Sequence, residues 1–346
     1  MADAGVVARV ADAVWHGQGL GARLARGALI PFEGLFTTAV AARGALYDRG
    51  LLRAHALALP ALSVGNLTAG GTGKTPVAAW LVAELRARGA RPAVVLRGYG
   101  ADEPLVHAAL NPGVPVIANA DRVAGVAAAR AAGADVAVLD DAFQHRRARR
   151  LLDLVLVSAD RWDGRVRLLP AGPWREPLAA SRRGSLLVVT RKAAPPATAE
   201  RVVEALRRAA PDVPVCTVHI AAGALRAVHR DAELPLAVVA GERVLAVSAV
   251  GDPAAFRGQL ESAGARVEAA SFADHHAFTA ADVTRLSARA RGVDRVVCTL
   301  KDAVKLGPLW PRAAAPLWYV SQRLSVERGA REIDRALAAL LAARPR

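Results

Sequence analysis

Short apolar runs alternate with stretches of helical periodicity through the first two thirds of this chain. ALSV (61–64), RPAVVLRGYG (91–100), GVPVIAN (113–119), ADVAVLDDAFQH (134–145), LDLVLVS (152–158) and SLLVVTR (185–191) lack an inside-outside alternation. They predict strands covered on both faces. VAAWLVAELRARG predicts a helix after the first run, and DRVAGVAAARAAGA predicts another, with Asp121 as N-cap and Gly133 as its stop. Such alternation specifies a mostly parallel sheet with helices on both sides. The pattern thins around 194–197 and 211–235. From about 240 it resumes with ERVLAVSAVG, a helix over 253–263, ARVEAASF, a helix over 280–291, DRVVCTL and APLWYVS. A final helix is expected over 326–343, packed on either domain. The expected organisation is an N-terminal helical segment (1–55), a larger α/β domain (56–215), a linker (216–240) and a smaller α/β domain (241–346).

Residues 20–52 carry an apolar stretch, GALIPFEGLFTTAVAARGALY, interrupted by Pro31, Glu33 and Arg43. A membrane-spanning helix wants about 20 consecutive apolar residues. This stretch suits an interfacial helix on an anionic leaflet better, with Arg23, Arg26, Arg43 and Arg53 around it. A helical hairpin packed on the domain fits the same pattern.

The chemistry enters at GNLTAGGTGKTP (65–76), between the first strand and its helix. Strand, glycine-rich turn and helix are the context of a phosphate-binding loop, in which backbone N–H groups and a helix N-terminus face a phosphate. Thr68, Ala69, Gly70, Gly71, Thr72 and Gly73 form the turn, Lys74 reaches the β- and γ-phosphates, and Thr75 faces Mg²⁺. The fold class is therefore a P-loop α/β/α sandwich with a smaller C-terminal α/β domain and an N-terminal apolar helical segment. Asp140 and Asp141 close a strand as a metal-binding acidic pair does. Arg97, Gln144, His145 and Arg175 are further phosphate or substrate candidates. LLPAGPWREP (168–177) is a proline-stiffened loop that presents Arg175 and Glu176. The pairs in SFADHHAF and TLKDAVKL each read singly as loop charges.

The 346 residues hold 46 Lys+Arg against 31 Asp+Glu, a net charge of +15. That favours anionic partners, although arginine is scattered rather than blocked. Cys216 and Cys298 lie far apart in strand-like segments, so neither a disulfide framework nor a cysteine metal site is indicated.

Taken together, GNLTAGGTGKTP, RGYG, DEP, the DR at 121–122, LDDAFQH, LLPAGPWREP, FADHHAF and TLKDAVK resemble the tetraacyldisaccharide 4′-kinases, in that family's order. The resemblance implies ATP and Mg²⁺, and phosphorylation of the 4′-hydroxyl of a lipid-linked disaccharide 1-phosphate. It implies a peripheral monomer at the cytoplasmic face of the inner membrane, with no nucleic-acid partner. It implies two α/β/α domains joined by a two-stranded linker, with the active site in the cleft between them. Glu176 would join Thr75, Asp140 and Asp141 as a metal ligand candidate, and Asp102 would deprotonate or orient the sugar hydroxyl, assisted by His275. The chain departs from the family pattern in having only Ala101 between Gly100 and Asp102, and in Ala142, Leu151 and Leu300. A partitioning or metal-chaperone ATPase shares the GGTGKT core, but the partitioning subclass generally needs a lysine where this chain has Ala69. A membrane-bound nucleotide-binding scaffold is a third reading.

Overall fold

The computed structural model describes residues 4–98, 100 and 102–345. Tyr99 of the RGYG stretch and Ala101 lie outside them. The chain divides into two compact units. The larger comprises 11–98, 110–220 and 324–346, and the smaller comprises 1–10, 99–109 and 221–323.

At the N-terminus stand α1 (Ala4–His16) and α2 (Leu20–Asp48). The Arg26 guanidinium donates to the carbonyls of Val14 and Gly17, satisfying the end of α1. Helix α2 runs 29 residues through Pro31 without burying a side chain fully. One side is tied down. Glu33 accepts from the Leu168 N–H, Arg43 donates to the Gln144 carbonyl, and Arg146 reaches Gly44 and Asp48. Leu20, Leu24, Ile30, Phe32 and Leu35 stay exposed. Among the described residues no helix is long and apolar enough to cross a membrane.

In the larger unit the chain follows β1 (His55–Ala56), β2 (Ala61–Asn66), α3 (Lys74–Ala87) and β3 (Pro92–Leu96). After α4 (Asp102–Leu110) come β4 (Val116–Ala118), α5 (Arg122–Ala131), β5 (Val136–Asp140), β6 (Ala148–Arg149), β7 (Leu152–Ser158), β8 (Leu186–Arg191) and α6 (Pro196–Ala209). The sheet order is β9-β8-β7-β2-β5-β3-β4, and these pairings are all parallel. β2, β3 and β5 are buried at every position, which is why their sequences are continuously apolar.

β9 (Val215–Ala227) leaves the larger unit for the smaller one, which contains β10 (Glu233–Leu234), β11 (Arg243–Ser248), α7 (Pro253–Ser262), β12 (Arg266–Ser271), α8 (Ala280–Ala290), β13 (Arg295–Cys298) and α9 (Leu300–Leu306). β14 (Leu317–Arg328) carries the chain back to α10 (Ala330–Ala342). The order in the smaller unit is β12-β11-β13-β14-β9, with β10 antiparallel on β9. A capping box between Thr279 and Asp282 starts α8.

The last helix begins later than its periodicity predicts. Residues 326–328 extend β14, and Gly329 turns the chain at φ +81, where a Cβ would stand 2.6 Å from that of Cys216. Only glycine fits that approach. Ile333, Leu337 and Leu340 then enter the same core as Leu62, Val64 and Leu81, so α10 packs on the larger unit. Both cysteines are free and buried, and burial raises both thiols, Cys216 to about 12.

Candidate active site

The P-loop is built by a strand that ends in a buried asparagine. Asn66 Nδ2 donates to the Thr68 carbonyl at 2.7 Å and to Thr72 Oγ1 at 2.9 Å, drawing the turn over the strand end. Thr190 Oγ1 on β8 holds the Thr72 carbonyl from below. Gly70 and Gly73 have φ +100 and +84, the left-handed region that glycine enters without strain. Beside Gly71 a Cβ would meet nothing within 4 Å, so the cradle is open there. Gly73 caps α3, and Lys74 and Thr75 occupy its first turn. Open backbone, a helix N-terminus and a lysine fit a polyphosphate.

Asp140 ends β5, and its Oδ2 lies 3.3 Å from Thr75 Oγ1. A buried carboxylate facing a hydroxyl suits Mg²⁺, which binds through one or two protein oxygens and keeps water and phosphate as its other ligands. Asp141 turns the other way, at φ 53. It stands 3.6 Å from Lys74 Nζ and 3.1 Å from Arg175 Nη1. Burial opposes the Asp141 charge, yet Lys74 and Arg175 outweigh it and hold the carboxyl below its ordinary value. Among the described residues no group of three or more His, Cys, Asp or Glu gathers as a metal cluster.

The proline-rich loop lies on the P-loop itself. Ala69 N–H donates to the Pro173 carbonyl, and Arg175 N–H donates to the Leu67 carbonyl, both at 2.7 Å. This backbone pairing delivers Arg175 to Asp141. Glu176 instead pairs with Arg183 at 2.7 Å, and that guanidinium stacks over Phe143. Gln144 Nε2 donates to the Asn66 carbonyl, so Gln144 supports the loop from the side opposite Thr190. Burial, with Arg122 and Arg150, lowers the basicity of His145. Arg97 follows the end of β3.

In the smaller unit, Asp102 and His275 form a separate constellation. Asp102 opens α4 and is 4% exposed, and His275 lies in the loop between β12 and α8. The His275 ring Nδ1 is 3.1 Å from both carboxylate oxygens of Asp102. Burial opposes the Asp102 charge, but the hydrogen bond and charge of His275, with Lys301, bring its pKa down to about 2. The same hydrogen bond raises the pKa of His275. Gly100 makes the approach possible, since a Cβ there would lie 2.8 Å from Asp102 Oδ1.

The family model described as tetraacyldisaccharide-1-P 4′-kinase, LpxK, matches residues 25–342. The chain belongs to this family. It is 40% identical to the tetraacyldisaccharide 4′-kinase of Anaeromyxobacter sp. (strain K), over 96% of each chain. It is 38% identical to that of Halorhodospira halophila, covering 90% of this chain and 91% of the relative. Among solved structures it resembles the "apo" form of LpxK from Aquifex aeolicus in complex with ATP. That match has a TM-score of 0.71 and 29% identity, over 92% of this chain and 98% of the other.

Within this family member, the structure gathers Lys74, Thr75, Asp140, Asp141 and Arg175 around one loop and pairs Asp102 with His275. The partner of Glu176 is Arg183. Sequence reasoning passed over two residues that shape the site, Asn66 and Arg183. The position of Asn66, at the end of a buried strand just before the glycines, was a usable signal. Arg183, seven residues past Glu176, offered none.

Proposed function

We propose that this chain transfers the γ-phosphoryl group of ATP to the 4′-hydroxyl of a lipid-linked disaccharide 1-phosphate, the lipid A precursor. The observation that carries this reading is the P-loop with Lys74 and Thr75 beside Asp140 in a chain of the 4′-kinase family. Phosphoryl transfer asks a protein mainly for positioning and for charge stabilisation. The backbone of residues 68–73 cradles the phosphates. Lys74 and Arg175 stabilise the charge on the transferring group, and Asp141 keeps both cations in place. Thr75 and Asp140 would hold Mg²⁺, which would supply neutralisation of phosphate charge. Glu176 acts through Arg183 rather than as a direct ligand. Arg97, Gln144 and His145 shape the surroundings.

Asp102 orients the acceptor hydroxyl and takes its proton. A carboxylate with a pKa near 2 is a weak base toward a resting alcohol. In a loose transition state the acceptor oxygen sheds its proton late, so an anion already in place suffices. His275 fixes that anion by donating its Nδ1–H to the carboxylate.

Helix α2, with its exposed leucines and Phe32 and with arginines along it, supports peripheral docking on an anionic leaflet. We place this at the cytoplasmic face of the inner membrane, where ATP is available. One chain carries every residue named, which supports a monomer.

The test is transfer of labelled γ-phosphate to tetraacyl disaccharide 1-phosphate in mixed micelles. Acceptor-dependent product is expected. ATP consumption that ignores the acceptor would contradict the reading.

A further inference from the structure

His275 holds a backbone conformation that a non-glycine residue keeps only when its surroundings enforce it, φ 58. The enforcing contacts come from α9. Asp302 is fully buried there. Its Oδ2 accepts from Thr299 Oγ1 at 2.6 Å and from the Ala249 N–H at 3.1 Å. The Ala249 carbonyl, in turn, accepts the backbone N–H of His275 at 3.2 Å. Lys305, one turn on from Asp302, faces Asp302 Oδ1 at 3.5 Å and donates to the His276 carbonyl at 3.1 Å. Its ammonium lies 5.3 Å from the centre of the Phe278 ring. One buried pair thus grips the strand end before His275 and the carbonyl just after it.

A buried ion pair is a poor stabiliser, because desolvation consumes much of its attraction. This one is spent on two backbone groups that flank a single strained residue. We propose that Asp302 and Lys305 form a clamp that positions His275 against Asp102, making both of them positioning residues for phosphoryl transfer. The inference rests on the reading of Asp102 and His275 as the pair that handles the acceptor hydroxyl. Neither clamp residue touches that pair directly; they act through the backbones of Ala249 and His276. The neighbouring side chain is fixed separately, since His276 Nε2 pairs with Asp282 at 3.0 Å and its ring stacks on Phe272. The clamp therefore governs the path of the backbone through His275 rather than the loop's attachment to α8.

Removing one partner alone would strand a buried charge and threaten folding. The test therefore compares Lys305→Met with the double variant Asp302→Asn/Lys305→Met in the full chain. The double variant leaves no lone charge. Its new side-chain amide oxygen can still accept the Ala249 N–H, but the His276 carbonyl has lost its donor. Thermal stability near that of the parent is expected for the double variant, with an unchanged KM for ATP. Its kcat should fall by on the order of tenfold to a hundredfold, the range that small misplacement of a reacting group produces. Adding His275→Asn should cause little further loss, because both changes remove the same function.

A readout independent of turnover is the ¹⁵N signal of the His275 ring, assigned by its absence in His275→Asn. The charged groups facing this ring are Asp102 on α4, Asp274 on its own loop at 3.9 Å, and Lys301 on α9. In the double variant its pKa should drop toward 6.5 as the bond to Asp102 loosens. A double variant that recovers both its stability and its full kcat, with an unaltered His275 titration, would overturn the clamp. If His275→Asn itself keeps full activity, the dyad reading fails, and the ring titration alone then decides the clamp.

Discussion

Lys74 and Asp141 form an ion pair, Nζ to Oδ1 at 3.6 Å, and Arg175 shares the same carboxylate. If Lys74 meets the phosphates as proposed, Asp141 competes with them for its charge. Asp141→Asn removes the competitor and loosens both cations. We expect kcat to fall by at least about tenfold, with a KM for ATP that is unchanged or lower. Steady-state kinetics with varied ATP checks this. A raised KM with unchanged kcat would make Asp141 a binding residue.

Gly100 is the narrowest point around the second constellation. It sits at φ +97, and a Cβ would lie 2.8 Å from Asp102 Oδ1 and 3.5 Å from His275 Nδ1. Gly100→Ala should destabilise the protein by about 1–3 kcal/mol and lower kcat. The control is Gly113→Ala, also at positive φ (+79) but with nothing within 4 Å. It should lose stability alone. Thermal melts and transfer rates of the two variants separate contact from backbone strain.

The bond between Asp102 and His275 gives stability a pH dependence. Asp102 has a folded pKa of about 2 against an ordinary 3.8, so its contribution is present above 3.8 and is lost as pH falls through about 2. His275 has a raised pKa, so its contribution is complete below 6.5 and is lost as pH rises through the folded value above it. Asp102→Asn should flatten both limbs relative to the parent in denaturation curves taken across pH. Identical profiles would show that the pair is not coupled.

The strands of the larger unit were legible because burial on both faces leaves an unbroken apolar signature, and the P-loop because its glycines and lysine are contiguous. Other features depend on partners distant in sequence. β9 runs from Val215 through AAGALRA, where small and half-exposed residues mask its length. DEPLVHAAL shows too short a period to announce an element, yet it forms α4 and belongs to the unit that holds His275. The end of β14 imitates the start of a helix until Gly329 intervenes. Asp302 and Lys305 read as loop charges until α9 forms and turns Asp302 inward. Which acid faces Thr75 and which faces Lys74 follows from the left-handed backbone of Asp141, a property that local sequence does not display.

Helix α2 offers a direct test of membrane docking. Phe32 and Leu35 are exposed on it and bury little within the chain. Phe32→Asp/Leu35→Asp should release the protein from vesicles containing anionic lipid while leaving its fold intact. Sedimentation with vesicles measures the bound fraction. Undiminished binding would place the docking surface elsewhere.

The central claim, that Asp102 handles the hydroxyl that receives the phosphate, is tested most directly by Asp102→Asn in the acceptor-dependent transfer assay. A general base contributes roughly a hundredfold to ten-thousandfold. A fall in kcat of that size with ATP binding unchanged is the expected result. Full transfer by Asp102→Asn would contradict the account.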